Sequence, residues 1–466
     1  MKRISFIFML MLGSIGAAFA QISIVSGTWE RGKVETVKLY NIAESRLNEI
    51  ASSKIDDQKR FTFAFNADKE GFYAVALSPA TVQNRYVFYL KPGDQLNLKI
   101  TADSYELTGE NTAENKELCK WHDFVLPLEM KAVYFQKQNS TYVDFFPLLD
   151  EKLEALKTYP KASTPNKKFN AAFEDFKRND LLSIAVNFIQ TPRSAHPVGE
   201  DYSDYYRNIN LPALTANTSL LNYPRGTSLV LDSYMTKKRA DNETIGSYAK
   251  YQEMAEGLLV GANANLIAND TIRGEIAVML AQSVKTLDNL DSFRQKFGKC
   301  IATESQQQRM KDLENTLRKN VAGEMAPDFT FPDVNGKEYT LSAFKGKVVY
   351  VDIWATWCGW CIKEFPELRK IEEEYKNRNE IVFIGVSVDD AKDHGKWKTF
   401  LSNNEMVGIQ LFAGEKAEES LSKPYKISGI PRFILVGKDG RLVSGDAPRP
   451  SSEELRPLLE ETLKAK

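Results

Sequence analysis

The feature that most constrains this chain is a pair of cysteines, Cys358 and Cys361, separated by two residues. An apolar run over 347–355, typical of a buried strand, comes directly before the pair, and helical spacing follows it. A Cys-x-x-Cys pair at the start of a helix that follows a strand is the arrangement that thiol–disulfide exchange requires. The positive end of the helix dipole favours the thiolate of Cys358, and Cys361 lies one turn further on. The sequence therefore predicts a redox-active dithiol.

Zinc binding is the other chemistry of a Cys-x-x-Cys pair, and it requires four ligands. The remaining cysteines are Cys119 and Cys300, and the histidines, His122, His196 and His394, are scattered along the chain. We therefore expect no metal site, and we interpret His122 as a helix-face residue. Cys119 and Cys300 either form a disulfide or remain two buried thiols, because the sequence does not show how close their Cα atoms are.

Residues 1–20 have the pattern of a secretory signal peptide. The basic pair Lys2-Arg3 is followed by an apolar stretch over 4–16 and by the small-residue cleavage site Ala18-Phe19-Ala20. The alternative is an uncleaved membrane anchor, but the apolar stretch is too short to span a bilayer comfortably. The sequence predicts a periplasmic protein with no stable membrane insertion after cleavage.

Length and charge limit the remaining possibilities. The chain has 466 residues, which predicts two to four domains. Its formal net charge is −1, or about −3 once Lys2 and Arg3 are removed. A nucleic-acid partner would require a basic surplus, so we expect none.

The chain is predicted to be a multidomain protein with three folded parts after the signal peptide. Residues 21–111 contain strand-length apolar clusters and alternations, which predict a small β-sandwich. Residues 112–320 have helical spacing, which predicts an α-helical domain or spacer, and they show no catalytic constellation. Residues 321–466 alternate strands and helices, which predicts an α/β domain with one sheet covered on both faces.

The C-terminal part resembles a known family. The run Val-Asp-Ile-Trp-Ala-Thr-Trp-Cys-Gly-Trp-Cys over 351–361, with Ser-Gly-Ile-Pro over 428–431, resembles thioredoxin-like proteins. The segments 326–329, 341–347 and 363–366 are similar to those of the TlpA/ResA-type envelope thiol–disulfide oxidoreductases. The resemblance covers about 140 residues and implies a thioredoxin-like fold for 321–466.

Four residues are expected to carry the chemistry. Cys358 is the expected nucleophile, exposed at the helix start, and Cys361 is the more buried resolving thiol. The resemblance implies that Asp352 is a buried acid that accepts and returns the proton of Cys361, with a pKa raised by burial. It also implies that Glu364 adjusts the thiols; the alternative is an exposed helix carboxylate.

A substrate groove is implied beside the cysteines. The resemblance implies a cis peptide bond before Pro431, which would offer the backbone of Ile430 to a substrate strand. The expected substrate-binding residues are Trp357, Gly359, Trp360, Ile430 and Pro431.

The chain departs from the family at two positions that border this groove. Trp360 stands between the cysteines where many relatives have proline, so the family does not predict the redox potential. Arg432 stands where relatives commonly have a small polar residue. Trp354 and Trp357 are expected to shield the sulfurs or to be plain core aromatics.

The leading hypothesis is an enzyme that exchanges electrons with protein disulfides or dithiols, most simply as a reductant. It would need no cofactor beyond the Cys358–Cys361 disulfide. The resemblance implies a membrane-bound thiol electron donor, and some relatives serve cytochrome c maturation. The alternative is a client-binding or docking envelope protein in which the cysteine pair is accessory. A peroxidase is disfavoured because Thr356 precedes Cys358 by two residues instead of three.

Overall fold

The computed structural model describes residues 22–465, apart from 68, 135, 136, 138, 244–247, 262, 285, 320, 321, 405, 407 and 428. The predicted signal peptide, 1–20, lies outside the described residues. Contacts divide the chain into two compact units, 1–276 and 277–466. Among the described helices, none has both the length and the apolar composition needed to cross a bilayer.

The first unit begins with β-strands that form two four-stranded sheets. The strands are β1 (Ile22–Trp29), β2 (Thr36–Ala43), β3 (Arg46–Lys54), β4 (Arg60–Asn66), β5 (Gly71–Ala76), β6 (Arg85–Leu90), β7 (Gln95–Ile100) and β8 (Tyr105–Leu107). Their order is β4-β1-β7-β8 in one sheet and β3-β2-β5-β6 in the other.

The two sheets enclose one apolar core, which confirms the predicted β-sandwich. Strand β4 shows how the sequence produces it, because Phe61, Phe63 and Phe65 alternate with exposed residues and all three enter the core. Val37 of β2 and Phe88 of β6 reach the same core from the other sheet.

Helices follow the sandwich within the first unit. They are α1 (Ala113–Ala132), α2 (Tyr142–Leu156), α3 (Lys167–Gln190), α4 (Asp204–Arg207), α5 (Leu211–Leu214), α6 (Gly226–Ala240), α7 (Tyr248–Gly257) and α8 (Asp270–Ala281), which ends in the second unit. The side chain of Asn115 in α1 accepts the N–H of Tyr89 at 2.8 Å and donates to its carbonyl at 2.9 Å. This pair satisfies backbone groups of the edge strand β6 and seats α1 against it. The predicted domain boundaries at 111 and 320 remain predictions.

The second unit contains two more helices and then the α/β domain. Its elements are α9 (Leu287–Phe297), α10 (Glu304–Lys319), β9 (Thr330–Pro332), β10 (Glu338–Thr340), β11 (Val348–Trp354), α11 (Gly359–Tyr375), β12 (Ile381–Ser387), α12 (His394–Asn403), β13 (Ile409–Phe412), β14 (Arg432–Val436), β15 (Leu442–Ser444) and α13 (Leu455–Lys464).

A five-stranded sheet in the order β13-β12-β11-β14-β15 forms the centre of this domain. Strands β11, β12 and β13 are parallel, and β14 and β15 are antiparallel to their neighbours. Every residue of β11 is buried, as expected of a central strand that is covered on both faces. Tyr350 packs with Leu368 of α11 and Leu459 of α13 on one face, whereas Val351 packs with Phe331 on the other. The predicted thioredoxin-like α/β layout is confirmed.

Candidate active site

The cysteine pair lies where β11 ends and α11 begins. Cys358 is the N-cap residue of α11, and its Sγ accepts the N–H of Cys361 at 3.1 Å. The two cysteines form a disulfide. A sulfur at a helix N-terminus that already accepts a backbone N–H is held where a thiolate is stabilised once the disulfide is reduced.

The sulfurs are more enclosed than the sequence predicts. Cys358 is 6% exposed and Cys361 is 1% exposed. The expectation of an exposed Cys358 is therefore wrong, although Cys358 is the more accessible of the two cysteines. Both cysteines belong to an apolar cluster with Trp354, because the capping geometry turns the first sulfur back over the helix end. Trp354 therefore shields the sulfurs. Trp357 is 63% exposed, so the expectation that it shields the sulfurs or lies in the core is wrong, and Trp360 is 66% exposed. The ammonium of Lys363 lies 4.2 Å from the ring centre of Trp360.

The cis-proline loop lies beside the cysteines. The Ile430–Pro431 peptide bond is cis, as the resemblance implies. Ile430 packs against the cluster that contains Cys358 and Cys361. Arg432 turns inward: it is 8% exposed and its guanidinium contacts Asp446 at 2.7 Å. The positive charge next to the groove is therefore partly neutralised within the protein.

Asp352 lies beneath the active-site helix. It stands on β11 between Tyr350 and Trp354, whose side chains pack against α11, so strand alternation directs Asp352 to the same face. Asp352 is 2% exposed, and its Oδ1 has no hydrogen-bond partner among the described residues. Burial raises its pKa well above the ordinary value, and the carboxyls of Glu372 and Glu364 raise it further. Its burial agrees with the expectation, and its catalytic role remains a prediction.

Sequence comparison places this site in a family. The Redoxin family model matches residues 321–458. The thiol-disulfide oxidoreductase ResA of Bacillus thuringiensis is 31% identical over 141 residues, which are 29% of this chain and 76% of that protein. The chain belongs to the ResA-type thiol–disulfide oxidoreductases.

Other members are related over the same part of the chain. ResA of Bacillus subtilis is 30% identical over 122 residues, and the match spans 26% of this chain and 64% of that protein. The crystal structure of the thioredoxin domain of a thiol-disulfide oxidoreductase from Bacteroides vulgatus is 30% identical, with a TM-score of 0.28, and the match covers 31% of this chain and 99% of that one. The residues that the Redoxin family model matches, 321–458, lie in the C-terminal part of the chain.

Glu364 in this ResA-type domain is held by a residue from a distant loop. The carboxylate is 7% exposed; its Oε2 accepts the N–H of Ser451 and its Oε1 accepts the Ser451 hydroxyl, each at 3.0 Å. The alternative of an exposed Glu364 is therefore wrong. We also expect from the sequence that Ser451 and Glu454 form a capping box for the last helix. That prediction is wrong as well, because α13 begins at Leu455 and the Ser451 hydroxyl is engaged by Glu364.

Sequence reasoning missed Asp389, which anchors the segment leading into Cys358. Asp389 has no exposed surface, and its carboxylate accepts the N–H of Thr356 at 2.9 Å and the hydroxyls of Thr356 and Ser387 at 2.7 Å each. Thr356 is two residues before Cys358, so these bonds fix the turn that presents the sulfur. The available signal was an acidic residue at the carboxyl end of a buried strand, since parallel strands β11 and β12 end at the same edge of the sheet.

Removing this anchor is expected to weaken both stability and exchange. Asp389→Ala leaves three buried donors without their acceptor, so we expect the free energy of unfolding to fall by about 3 kcal/mol. The looser turn is expected to slow disulfide exchange roughly tenfold. Chemical denaturation and a disulfide-reduction assay measure the two effects. The matched control is the neighbouring Asp390→Ala, whose side chain is 72% exposed; equal behaviour of the two variants would contradict the anchoring role.

Cys119, Cys300 and His122 are not members of the apolar cluster around the cysteine pair. Cys119, in the first unit, and Cys300, in the second, are both thiols, so the disulfide alternative is absent from this structure. Burial raises the pKa of Cys119. His122 lies on α1, where its Nε2 is 2.9 Å from the Ser104 hydroxyl and burial lowers its pKa to about 4. In the described part of the chain, no group of three His, Cys, Asp or Glu residues could hold a metal ion.

Proposed function

We propose that this protein exchanges thiols and disulfides with protein clients in the periplasm, as a reductant. The observation that carries the proposal is the position of Cys358: its sulfur caps α11, accepts the N–H of Cys361 and lies in the cluster against which Ile430 packs. A nucleophilic sulfur, a resolving sulfur and a strand-pairing backbone are then available in one place.

The reaction begins with the reduced protein. The Cys358 thiolate attacks a client disulfide and forms a mixed disulfide, and one client sulfur leaves as a thiolate. Cys361 then loses its proton to Asp352 and attacks Cys358, which releases the second client sulfur and forms the Cys358–Cys361 disulfide. Two electrons have passed to the client. A thiol donor, proposed to be membrane-bound, reduces the pair again.

Client binding is proposed to use the surface around the disulfide. Trp357 and Trp360, next to the cysteines in the chain, offer exposed aromatic surface, and Ile430, before cis-Pro431, packs against the cluster that contains the cysteines. Gly359, between the sulfur and Trp360, has open space where a Cβ would be, which lets a client backbone come close.

The periplasmic location rests on the pattern of residues 1–20 and on the ResA-type domain. A buried apolar cluster around the disulfide also suits a protein whose thiols must be kept for selected clients in an oxidising compartment. We expect N-terminal sequencing of the periplasmic fraction to find a mature form that begins at Gln21 and is derived from a longer precursor. A cytoplasmic, uncleaved chain would contradict this location.

The redox potential tests the direction of exchange. The full chain is equilibrated with reduced and oxidised glutathione, and the dithiol fraction is measured by alkylation and mass spectrometry. A reductant is expected to have a potential well below that of the glutathione couple. A potential well above it would make the protein an oxidant, and failure to reduce any model protein disulfide would reject the exchange function.

A client-binding protein is the second candidate, because the first unit has its own sandwich core and lies outside the matched region. The full chain with both Cys358 and Cys361 replaced by serine distinguishes the two. Client capture that is undiminished in this variant favours the binding protein, whereas capture that requires Cys358 favours the oxidoreductase.

A further inference from the structure

The buried acid Asp352 has no direct route to solvent for its proton. It is 2% exposed and stands on the central strand β11, with Tyr350 and Trp354 as neighbours on the same face. Our proposed function requires Asp352 to be ionised before it accepts the Cys361 proton, so any proton that this buried carboxyl already carries must first leave. A carboxyl enclosed in this way exchanges slowly unless another group accepts its proton.

A row of polar side chains extends from Asp352 to the edge of the sheet, and two glycines, Gly385 and Gly408, leave the space that these side chains occupy. Asp352 pairs in register with Gly385 of β12, which pairs with Gln410 of the edge strand β13. A Cβ added to Gly385 would lie 2.8 Å from Cδ and 2.9 Å from Nε2 of Gln410. The amide of Gln410 therefore occupies the space above Gly385, directly beside the position of Asp352.

The second glycine makes room for a carboxylate. A Cβ added to Gly408, just before β13, would lie 2.8 Å from Oε1 of Glu372 and 3.2 Å from the carbonyl oxygen of Phe383. Glu372 comes from α11, the helix that Cys358 caps, and it is half-buried. Its carboxylate thus lies close to Gly408, just before the edge strand, and the residue keeps part of its exposure to solvent.

We propose that Glu372 accepts the proton of Asp352 and passes it to solvent, along the row of polar groups to which the Gln410 amide belongs. This inference rests on the proposed function and adds two residues to it. The Cys361 thiol gives its proton to the Asp352 carboxylate, and the resulting thiolate attacks the Cys358 sulfur and displaces the client thiolate. Before this step, a proton on Asp352 moves to the Glu372 carboxylate and from there to water, which leaves the Asp352 carboxylate able to accept the Cys361 proton.

The electrostatics of the row suit this transfer. Burial raises the pKa of Glu372 to about 7, with Arg369 opposing the shift, so both forms of Glu372 are populated near neutral pH. The titratable and charged groups that face the row are Asp352 and Tyr350 from β11 and Glu364 and Arg369 from α11. Gln410, which β13 contributes, is uncharged, and β12 contributes Gly385.

The test isolates the step in which Cys361 loses its proton. The full chain is loaded with a coloured aromatic thiol as a mixed disulfide on Cys358, and release of the thiol is followed across pH. In the wild type we expect a plateau rate that does not depend on buffer concentration. Glu372→Gln is expected to lower the plateau roughly tenfold. Small carboxylate or imidazole buffers are expected to restore the rate in proportion to their concentration.

Glu373→Gln is the matched control, because Glu373 is the next residue on α11 and its side chain is 69% exposed. Gln410→Met, which keeps the volume and removes the amide, is the second variant and is expected to act in the same direction. A plateau and a buffer dependence equal to those of Glu373→Gln would overturn the inference. A shift of the pH midpoint with an unchanged plateau would also overturn it, since that indicates an electrostatic effect alone. Absence of thiol release in the wild type would instead reject the proposed function.

Discussion

Replacing Cys358 by serine is expected to reduce disulfide exchange by at least about 10³-fold. The sulfur at the N-terminus of α11 is the group that forms the bond to the client, and a serine hydroxyl is neither ionised nor able to form a disulfide. The measurement is the rate at which the reduced protein reduces a model protein disulfide. Unchanged turnover in this variant would eliminate the mechanism.

Cys361→Ser is the second variant for this experiment, because it tests the step in which the mixed disulfide is resolved. Without the resolving thiol, the mixed disulfide on Cys358 persists. We therefore expect a covalent client complex on non-reducing gels, and we expect thiol reagents to separate this complex by reducing the disulfide. Cys119→Ser is the matched control, because Cys119 is a half-buried thiol of the first unit. Loss of exchange in that control would mean that a cysteine outside the ResA-type domain takes part.

Asp352→Asn is expected to produce the next largest effect, a roughly 100-fold lower rate of mixed-disulfide resolution. The amide keeps the shape of the side chain but neither accepts nor returns the Cys361 proton. The rate of thiol release from a preformed mixed disulfide on Cys358 measures this step. An exposed substitution, Asp390→Asn, serves as the control for changes in charge.

The same variant is expected to alter the dependence of stability on pH. The pKa of Asp352 is raised in the folded protein, above an unfolded value of about 3.9. Its contribution to the free energy of unfolding is therefore fully present below that value and is lost as the pH rises through the folded pKa. Asp352→Asn removes this loss, so its stability relative to the wild type is expected to increase from about pH 4 towards alkaline pH. A difference that is constant across pH would show that Asp352 is not the titrating group.

Local patterns were sufficient to predict much of the fold. The alternation of Phe61, Phe63 and Phe65 predicts a half-buried strand, and the apolar run before Cys358 predicts a buried strand. These signals depend on which residues bury and at what period, which the sequence displays directly. The candidate active site was predicted in another way, from the resemblance that the motifs around Cys358 and Pro431 carry.

Local patterns did not predict the contacts between residues that are far apart in the sequence. The local pattern predicts that Ser451 caps a helix, but its hydroxyl donates to Glu364, 87 residues earlier in the chain. Asp389 has no motif around it, and its two bonds to Thr356 form only because β11 and β12 lie side by side. In both cases a hydrogen bond supplied by the tertiary structure outweighs the local preference.

By itself, the sequence determined the position of the dithiol, its strand and helix, and the class of exchange chemistry. These follow from residue spacing and from the intrinsic reactivity of a capped sulfur. Only the tertiary structure decided the enclosure of Cys358, the inward turn of Arg432 towards Asp446 and the polar row that runs from Asp352 to Glu372. Burial and the proximity of charges depend on which strands become neighbours, and the order of strands in a sheet is a property of the whole fold.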